Sequence, residues 1–235
     1  MGYAMAAAKP GGSEVLHKIT LGDLTPTAGE VLIKHDAVGI NFLDIYIRNG
    51  AYPWPVDGDL ILGSEGAGII ETVGSDVKGL AVGDRVGYTL ANGAYATHRV
   101  IDAAYVVKLP DNVPSDLAAS IMLKGLTVAY LIHESYAVKP GDTVLFHAAA
   151  GGVGLIAGQW LKALGANTIG TAGGADKCAL AKANGFDHVI DYTSTDFEAE
   201  VMRLTNGEGV NVAYDSVGND TMARTITSTK RRGTI

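Results

Sequence analysis

The sequence predicts an α/β chain whose second half is a doubly wound parallel sheet and whose first half is a smaller, barrel-like β domain. Three observations carry this. The glycine-rich run His147-Ala148-Ala149-Ala150-Gly151-Gly152-Val153-Gly154 follows the apolar stretch Thr143-Val144-Leu145-Phe146 and opens into an amphipathic segment. Strand-like and helix-like segments then alternate as far as residue 214, the sequence form of a parallel sheet with helices on both faces. Residues 1 to about 125 instead show short β-rich runs punctuated by Gly, Pro and Asp.

In the first half these runs fall at 31–38, 66–73, 84–89, 95–100 and 105–109. Pro110-Asp111-Asn112-Val113-Pro114 marks a turn, and Ser115-Asp116 can cap a helix running through Ala118, Ala119 and Met122 into the alternating half. A domain boundary is expected near 125, giving domains 1–125 and 126–235. Past the strand at 143–146, Val153, Ile156, Ala157, Trp160, Leu161 and Leu164 recur at helical spacing and Gly165 stands at a C-terminal cap position. A strand at 168–170, a helix at 175–184 stopped by Gly185, a strand at 188–190, a helix at 197–204 and a strand at 210–214 complete the alternation. Arg232-Gly233-Thr234-Ile235 reads as the opening of a fifth strand, two residues of it present. There is no internal repeat and no low-complexity linker.

Composition narrows the function. A hydrophobic content of 47% places the chain among globular proteins. Its 18 basic and 25 acidic residues give a net charge of -7, and the basic residues are scattered except for Lys230-Arg231-Arg232, which reads as a solvated turn. No nucleic-acid footprint is visible. The single cysteine, Cys178, excludes a disulfide framework and a cysteine metal cluster and agrees with a reducing compartment. Met1–Ala8 is too short for a signal-peptide apolar region, and no run approaches the length of a membrane span, so a cytoplasmic protein without membrane partners is expected. The histidines at 17, 35, 98, 133, 147 and 188 lack metal-ligand spacing and read as surface or strand residues.

Ala149-Ala150-Gly151-Gly152-Val153-Gly154 fits the dinucleotide fingerprint with Ala in the first glycine slot. Small residues let the backbone approach a pyrophosphate, and the free N–H groups and dipole of the following helix hold it. A nicotinamide cofactor is therefore expected. An NAD site normally carries an acidic residue about 20 positions past the glycine turn, to hold the ribose 2′-hydroxyl. No Asp or Glu lies between Val153 and Ala175; Gly170-Thr171-Ala172-Gly173-Gly174 and Lys177 stand there, offering amides and a cation to a 2′-phosphate. NADPH is the expected cofactor.

The chain resembles the zinc-independent quinone oxidoreductases, the zeta-crystallin-like branch of the medium-chain dehydrogenase/reductase superfamily. The resemblance rests on Gly11-Gly12-Ser13-Glu14-Val15-Leu16, Gly39-Ile40-Asn41-Phe42-Leu43-Asp44-Ile45-Tyr46-Ile47-Arg48, Gly63-Ser64-Glu65-Gly66-Ala67-Gly68, Leu123-Lys124-Gly125-Leu126-Thr127, the glycine run after Phe146, and Tyr214-Asp215-Ser216-Val217-Gly218, in the family's order along the chain. It implies a GroES-like β-rich barrel joined to a Rossmann-type doubly wound sheet, the latter incomplete, with the active site in the cleft between them. It places Asn41 and Tyr46 as catalytic residues that also touch the cofactor, Tyr52 and Lys124 at the substrate, and Thr127 near the nicotinamide. Gly151, Gly152, Val153 and Gly154 would hold the pyrophosphate, and Gly173, Gly174, Lys177 and Tyr192 would surround the 2′-phosphate. Ser216, Val217 and Gly218 would border the cofactor where Asp215 caps the next helix. Asn41 and Ser64 stand at what resemble two zinc-ligand positions of metal-dependent relatives, so a metal-free site is expected. Glu65 reads as a hydrogen-bonded structural carboxylate.

Hydride transfer to a quinone is the implied reaction, with Asn41 and Tyr46 orienting an oxygen as charge develops on it. Reduction of an enone or enoyl thioester is the alternative; a non-enzymatic crystallin or RNA-binding role, known in this branch, is disfavoured by the charge. The family form is longer and a homodimer. The reading is therefore that this sequence is a piece of a longer enzyme, and that a polypeptide ending at Ile235 binds NADPH weakly, lacks the dimer and turns over poorly.

Overall fold

The computed structural model describes residues 2–235. The chain forms two compact units, one ending at Leu123 and the other comprising Lys124–Ile235.

In the first unit, β1 (Tyr3–Ala7), β2 (Leu16–Thr20), β3 (Glu30–Val38), β4 (Leu60–Ile61), β5 (Glu65–Val73), β6 (Arg85–Thr89), β7 (His98–Asp102) and β8 (Val106–Lys108) form two antiparallel sheets, ordered β2-β1-β4 and β7-β3-β5-β6-β8, and one helix, α1 (Phe42–Arg48), lies between β3 and β4 in the chain. Alternation along the strands sends Val31, Ile33, Ile70, Val86, Tyr88 and Ile101 into one core. The expected strands at 95–100 and 105–109 become β7 and β8, each starting later. Sequence reading missed β1, β2, β4 and α1.

A long helix, α2 (Ser115–Tyr130), continues into a wider π-helical turn at Leu131–Ser135. It runs, as expected, through Ala118, Ala119 and Met122 into the second half, with Gly125 carried in the helix interior. The 21 residues from Ser115 to Ser135 are long and apolar enough, by length and composition, to cross a membrane. Ala118 and Ala119 are buried with Ala67 in the first unit, and Val128 and Ile132 join the core of the second. The division between the units thus falls inside a helix.

The second unit alternates β9 (Thr143–Phe146), α3 (Gly152–Ala163), β10 (Asn167–Ala172), α4 (Ala175–Ala183), β11 (His188–Asp191), α5 (Phe197–Leu204), β12 (Val210–Tyr214), α6 (Met222–Thr227) and β13 (Thr229–Thr234). All pairs are parallel, in the order β11-β10-β9-β12-β13. That is the Rossmann-type order through five strands. Period-2 burial explains the double winding: Val144, Phe146, Val212 and Tyr214 face one core with Ala157 and Leu161 of α3, whereas Leu145 and Ala213 face another with Phe197 and Val201 of α5. The last strand corrects two expectations. It begins at Thr229, and Lys230, Arg231 and Arg232 belong to it instead of to a turn; its register slips between Val210 and Val212, with Arg232 at φ 64°.

Candidate nucleotide-binding site

The strand order reverses direction of growth between β9 and β12, and parallel sheets bind ligands beyond the carboxyl ends of their strands at such a point. A cavity of about 470 Å³ lies there in the second unit. The glycine turn makes one wall. His147 N–H donates to Tyr214 O (3.0 Å) and Ala149 N–H to Thr171 O (2.9 Å), so the turn is tied to the neighbouring strands on both sides. Ala148 is thereby held at φ 52°, a left-handed conformation that costs a non-glycine residue about 1–2 kcal/mol. At Gly154 a Cβ would lie 2.5 Å from Ala149 O and 2.6 Å from Ala148 O, so only glycine lets α3 start this close to the turn. Gly151 caps α3, and the first amides of that helix have no intrahelical acceptor.

Of the expected cofactor residues, Gly151, Gly173, Lys177, Tyr192 and Val217 line the cavity. Gly152, Val153 and Gly154 form the adjoining first turn of α3. Tyr192 lies over Gly173 so closely that a Cβ there would stand 2.7 Å from its hydroxyl oxygen. Lys177 has no carboxylate within ion-pair distance among the described residues. Gly174 departs from expectation: its N–H is donated to Asp191 Oδ1 (2.9 Å) and is not offered to a ligand. Its part is conformational, capping α4 at φ 89°. That amide, with the hydroxyl and amide of Thr193, holds the Asp191 carboxyl below its usual range. Ser216 and Gly218 shape the loop after β12, whose Val217 and Gly218 amides are donated to Asp215 Oδ1 at 2.8 and 3.0 Å. Asp215 is not the expected helix cap, since Thr221 stands at the start of α6; it organises the loop instead, accepting also from the Thr221 and Thr225 hydroxyls.

Sequence reading missed the parts played at this cavity by His147 and Arg224. His147 is 1% exposed, not a surface or strand residue, because it sits where β9 ends and its ring turns inward among Thr171, Thr225 and Phe197. Arg224 stacks 4.3 Å over the Phe197 ring and pairs with Asp196 and with Glu198 (3.6 Å). No local pattern announces either, since their partners come from distant segments.

Lys124 and Thr127 stand three apart on α2, and the Lys124 stem passes 2.9 Å from a Cβ position at Gly152. Asn41, Tyr46 and Tyr52 belong to the first unit. Asn41 precedes α1; its backbone N–H donates to Asp44 Oδ2 (2.9 Å) and its amide Nδ2 to Glu65 Oε1 (2.8 Å). Glu65 also accepts from Leu123 N–H (2.7 Å). Tyr46 is half exposed beside Phe42, with ring centroids 6.2 Å apart, and the Tyr52 N–H donates to Tyr46 O. Ser64 Oγ donates to Asp44 Oδ1 at 2.5 Å.

A GroES-like β unit followed by a Rossmann-type unit with a glycine turn defines a medium-chain dehydrogenase/reductase. The comparisons agree. Residues 27–111 match the alcohol dehydrogenase GroES-like domain and residues 152–235 the zinc-binding dehydrogenase family. The chain is 46% identical over 226 residues to quinone oxidoreductase 1 of Escherichia coli K12, covering 96% of this chain and 69% of that protein. It is 40% identical to a 2-haloacrylate reductase of a Burkholderia species, at the same two coverages. The crystal structure of Escherichia coli quinone oxidoreductase complexed with NADPH superposes with a TM-score of 0.95 at 45% identity, covering 98% of this chain and 71% of that one. The chain belongs to the quinone oxidoreductase family, and it spans about 69% of the length of its curated relatives.

Proposed function

We propose that the chain takes part in NADPH-dependent reduction of quinones by hydride transfer, without zinc. The observation that carries the cofactor choice is Lys177, unpaired at a cavity whose β10 end bears no acid, beside Gly173 and Tyr192. A 2′-phosphate supplies the charge this lysine lacks. The first amides of α3 and the tight approach at Gly154 suit a pyrophosphate.

When bound, NADPH supplies the hydride. The residues of this chain do the rest. Gly151, Gly152, Val153 and Gly154 bind the pyrophosphate; Lys177 and Tyr192 bind the 2′-phosphate. Thr127 and Lys124, on one face of α2, serve the nicotinamide and acceptor end. Asn41, with one amide hydrogen engaged by Glu65 and its side-chain oxygen in the capping box of α1, offers its second amide hydrogen to a carbonyl or carboxamide. The Tyr46 hydroxyl orients the acceptor oxygen as negative charge grows, and Tyr52 borders the substrate. No residue has to act as an acid, because the reduced quinone takes its proton from water.

Zinc fits the chain poorly. An amide and a hydroxyl stand at the ligand-like positions 41 and 64, and both are engaged with carboxylates, Glu65 and Asp44. A tetrahedral zinc centre needs thiolate, imidazole or carboxylate ligands instead. The second reading, reduction of an activated alkene, is favoured by the similarity to a 2-haloacrylate reductase. Both acceptors are conjugated and take hydride alike. Steady-state NADPH oxidation against ortho- and para-quinones and enones decides between them: turnover confined to enones would replace the first reading by the second, and no turnover with either would remove both.

A further inference from the structure

We propose that His147 is a positioning residue of the nucleotide site, a neutral imidazole that locks together the three loops forming the cavity wall. This rests on the reading of that cavity as the NADPH site.

Hydrogen-bond geometry assigns the ring its form. His147 Nδ1 lies 2.9 Å from Thr171 Oγ1 and Nε2 lies 3.0 Å from Thr225 Oγ1. The Thr225 hydroxyl faces two groups that can only accept, Asp215 Oδ2 at 2.8 Å and Thr221 O at 3.0 Å; its single proton goes to that side, nearer the carboxylate, so it accepts from His147 and the ring proton is on Nε2. Nδ1 is then the acceptor for the Thr171 hydroxyl. The result is one directed chain, Thr171 to His147 to Thr225 to Asp215, ending on a carboxylate. Asp215 is in turn the acceptor for the Val217 and Gly218 amides and the Thr221 hydroxyl. One ring thereby joins the end of β9, the end of β10 and the loop after β12.

These are the loops that carry the glycine turn, Gly173 with Lys177, and Val217. The backbone ties the glycine turn to the ends of β12 and β10 through the His147 and Ala149 amides, and the ring adds a side-chain link that reaches on to Asp215 and the loop it holds. The ring is buried and meets Phe197 edge-on at 5.0 Å, and both nitrogens are spent on threonines, so it acts on a nucleotide only through those loops. The charged groups facing it are Asp215 after β12, with Oδ2 3.9 Å from Nε2, and at the cavity Lys177 of α4, Asp220 before α6 and Arg224 of α6. Burial lowers the ring's affinity for a second proton, and Asp215 only partly opposes that. A second proton would also reverse the bond to Thr171.

NADPH titrations of the wild type, H147A, H147Q, H147N, T171V and T225V test this, with melting temperatures recorded for each. Glutamine keeps a donor towards Thr225 and asparagine an acceptor towards Thr171, so each preserves half of the chain. H147A is expected to weaken NADPH binding roughly tenfold to a hundredfold, because ångström-scale displacement of binding groups costs that much. H147Q and H147N should fall between it and the wild type, and kcat at saturating NADPH should drop less than the affinity. Adding T225V to H147A should cost almost nothing more, as expected for two links of one chain. Wild-type affinity should also decline relative to H147Q as the pH is lowered below about 6.5, the ordinary histidine value, because burial holds protonation of this ring beneath it; the nucleotide's own titration cancels in that ratio. Unchanged affinity in H147Q, H147N and T171V overturns the proposal, as does binding lost only in step with melting temperature. Failure of the wild type to bind NADPH would instead overturn the reading of the cavity.

Discussion

The cluster around Asn41 in the β unit and the cavity beside Lys177 in the parallel unit treat their polar groups in opposite ways. Around Asn41 the donors turn inward. Asp44 takes the Asn41 N–H, the Ser64 hydroxyl and the Tyr95 hydroxyl, and Glu65 takes the Asn41 amide and the Leu123 N–H. Burial, reinforced by the Asp44 contact, pushes the Tyr95 phenol well above its ordinary range, so it stays a neutral donor. Around the cavity, Lys177 and the first amides of α3 point at nothing the described residues supply. Saturated polar clusters set structure, whereas unsatisfied ones at a rim await a ligand.

The widest test of that contrast is Asp44→Ala, which strands three donors at once. It should lower unfolding stability by on the order of 3 kcal/mol or more, read from the urea midpoint. A loss under about 1 kcal/mol would show that the cluster is not closed as described. At the cavity the corresponding break is Gly154→Ala, whose Cβ meets two backbone oxygens. NADPH affinity should drop by about a hundredfold in a fluorescence titration, since the turn must move to admit the methyl group. Wild-type affinity there would mean the turn yields.

Lys177→Ala should weaken NADPH binding roughly tenfold or more and leave NADH nearly unchanged, as loss of a charge-assisted contact requires. Arg224 sharpens the point, because Asp196 and Glu198 already hold its charge. Arg224→Ala should change the preference for NADPH over NADH by less than about threefold, a partnered cation contributing little net charge. A larger shift than that of Lys177→Ala would invert the assignment.

The smallest effect is on pH. His147 is harder to protonate folded than unfolded, so the unfolded chain binds the extra proton first as pH falls. Stability carried by this group is full above the unfolded value and is lost as pH falls below about 6.5, at no more than about 1.4 kcal/mol per pH unit. Melting temperatures of wild type and H147Q should converge on acidification; parallel curves would speak against a neutral buried ring.

Much of the parallel unit was legible because its signals are local. Strand runs, helical spacing and the glycines at 165 and 185 each act within a few residues, and α5 and β12 fall at the expected bounds. Elements made by distant pairing were not. β1 is the alanine-rich Tyr3–Ala7, which alternates weakly and is a strand only because β2 and β4 flank it; β4 has two residues. The same holds for function. A glycine fingerprint and a lone lysine are visible in sequence, but the His147 chain joins residues 24 and 78 positions apart, and Arg224 meets Asp196 across 28. Gly174 was misread because its acceptor, Asp191, lies on the next strand.

We propose the cavity beyond β9, β10 and β12 as the seat of a 2′-phosphorylated dinucleotide. Side-by-side titration of the wild-type protein with NADPH and NADH at moderate salt tests it directly. The structure predicts at least about tenfold tighter binding of NADPH, the contribution of one charge-assisted phosphate contact. Equal affinities, or tighter binding of NADH, would contradict it.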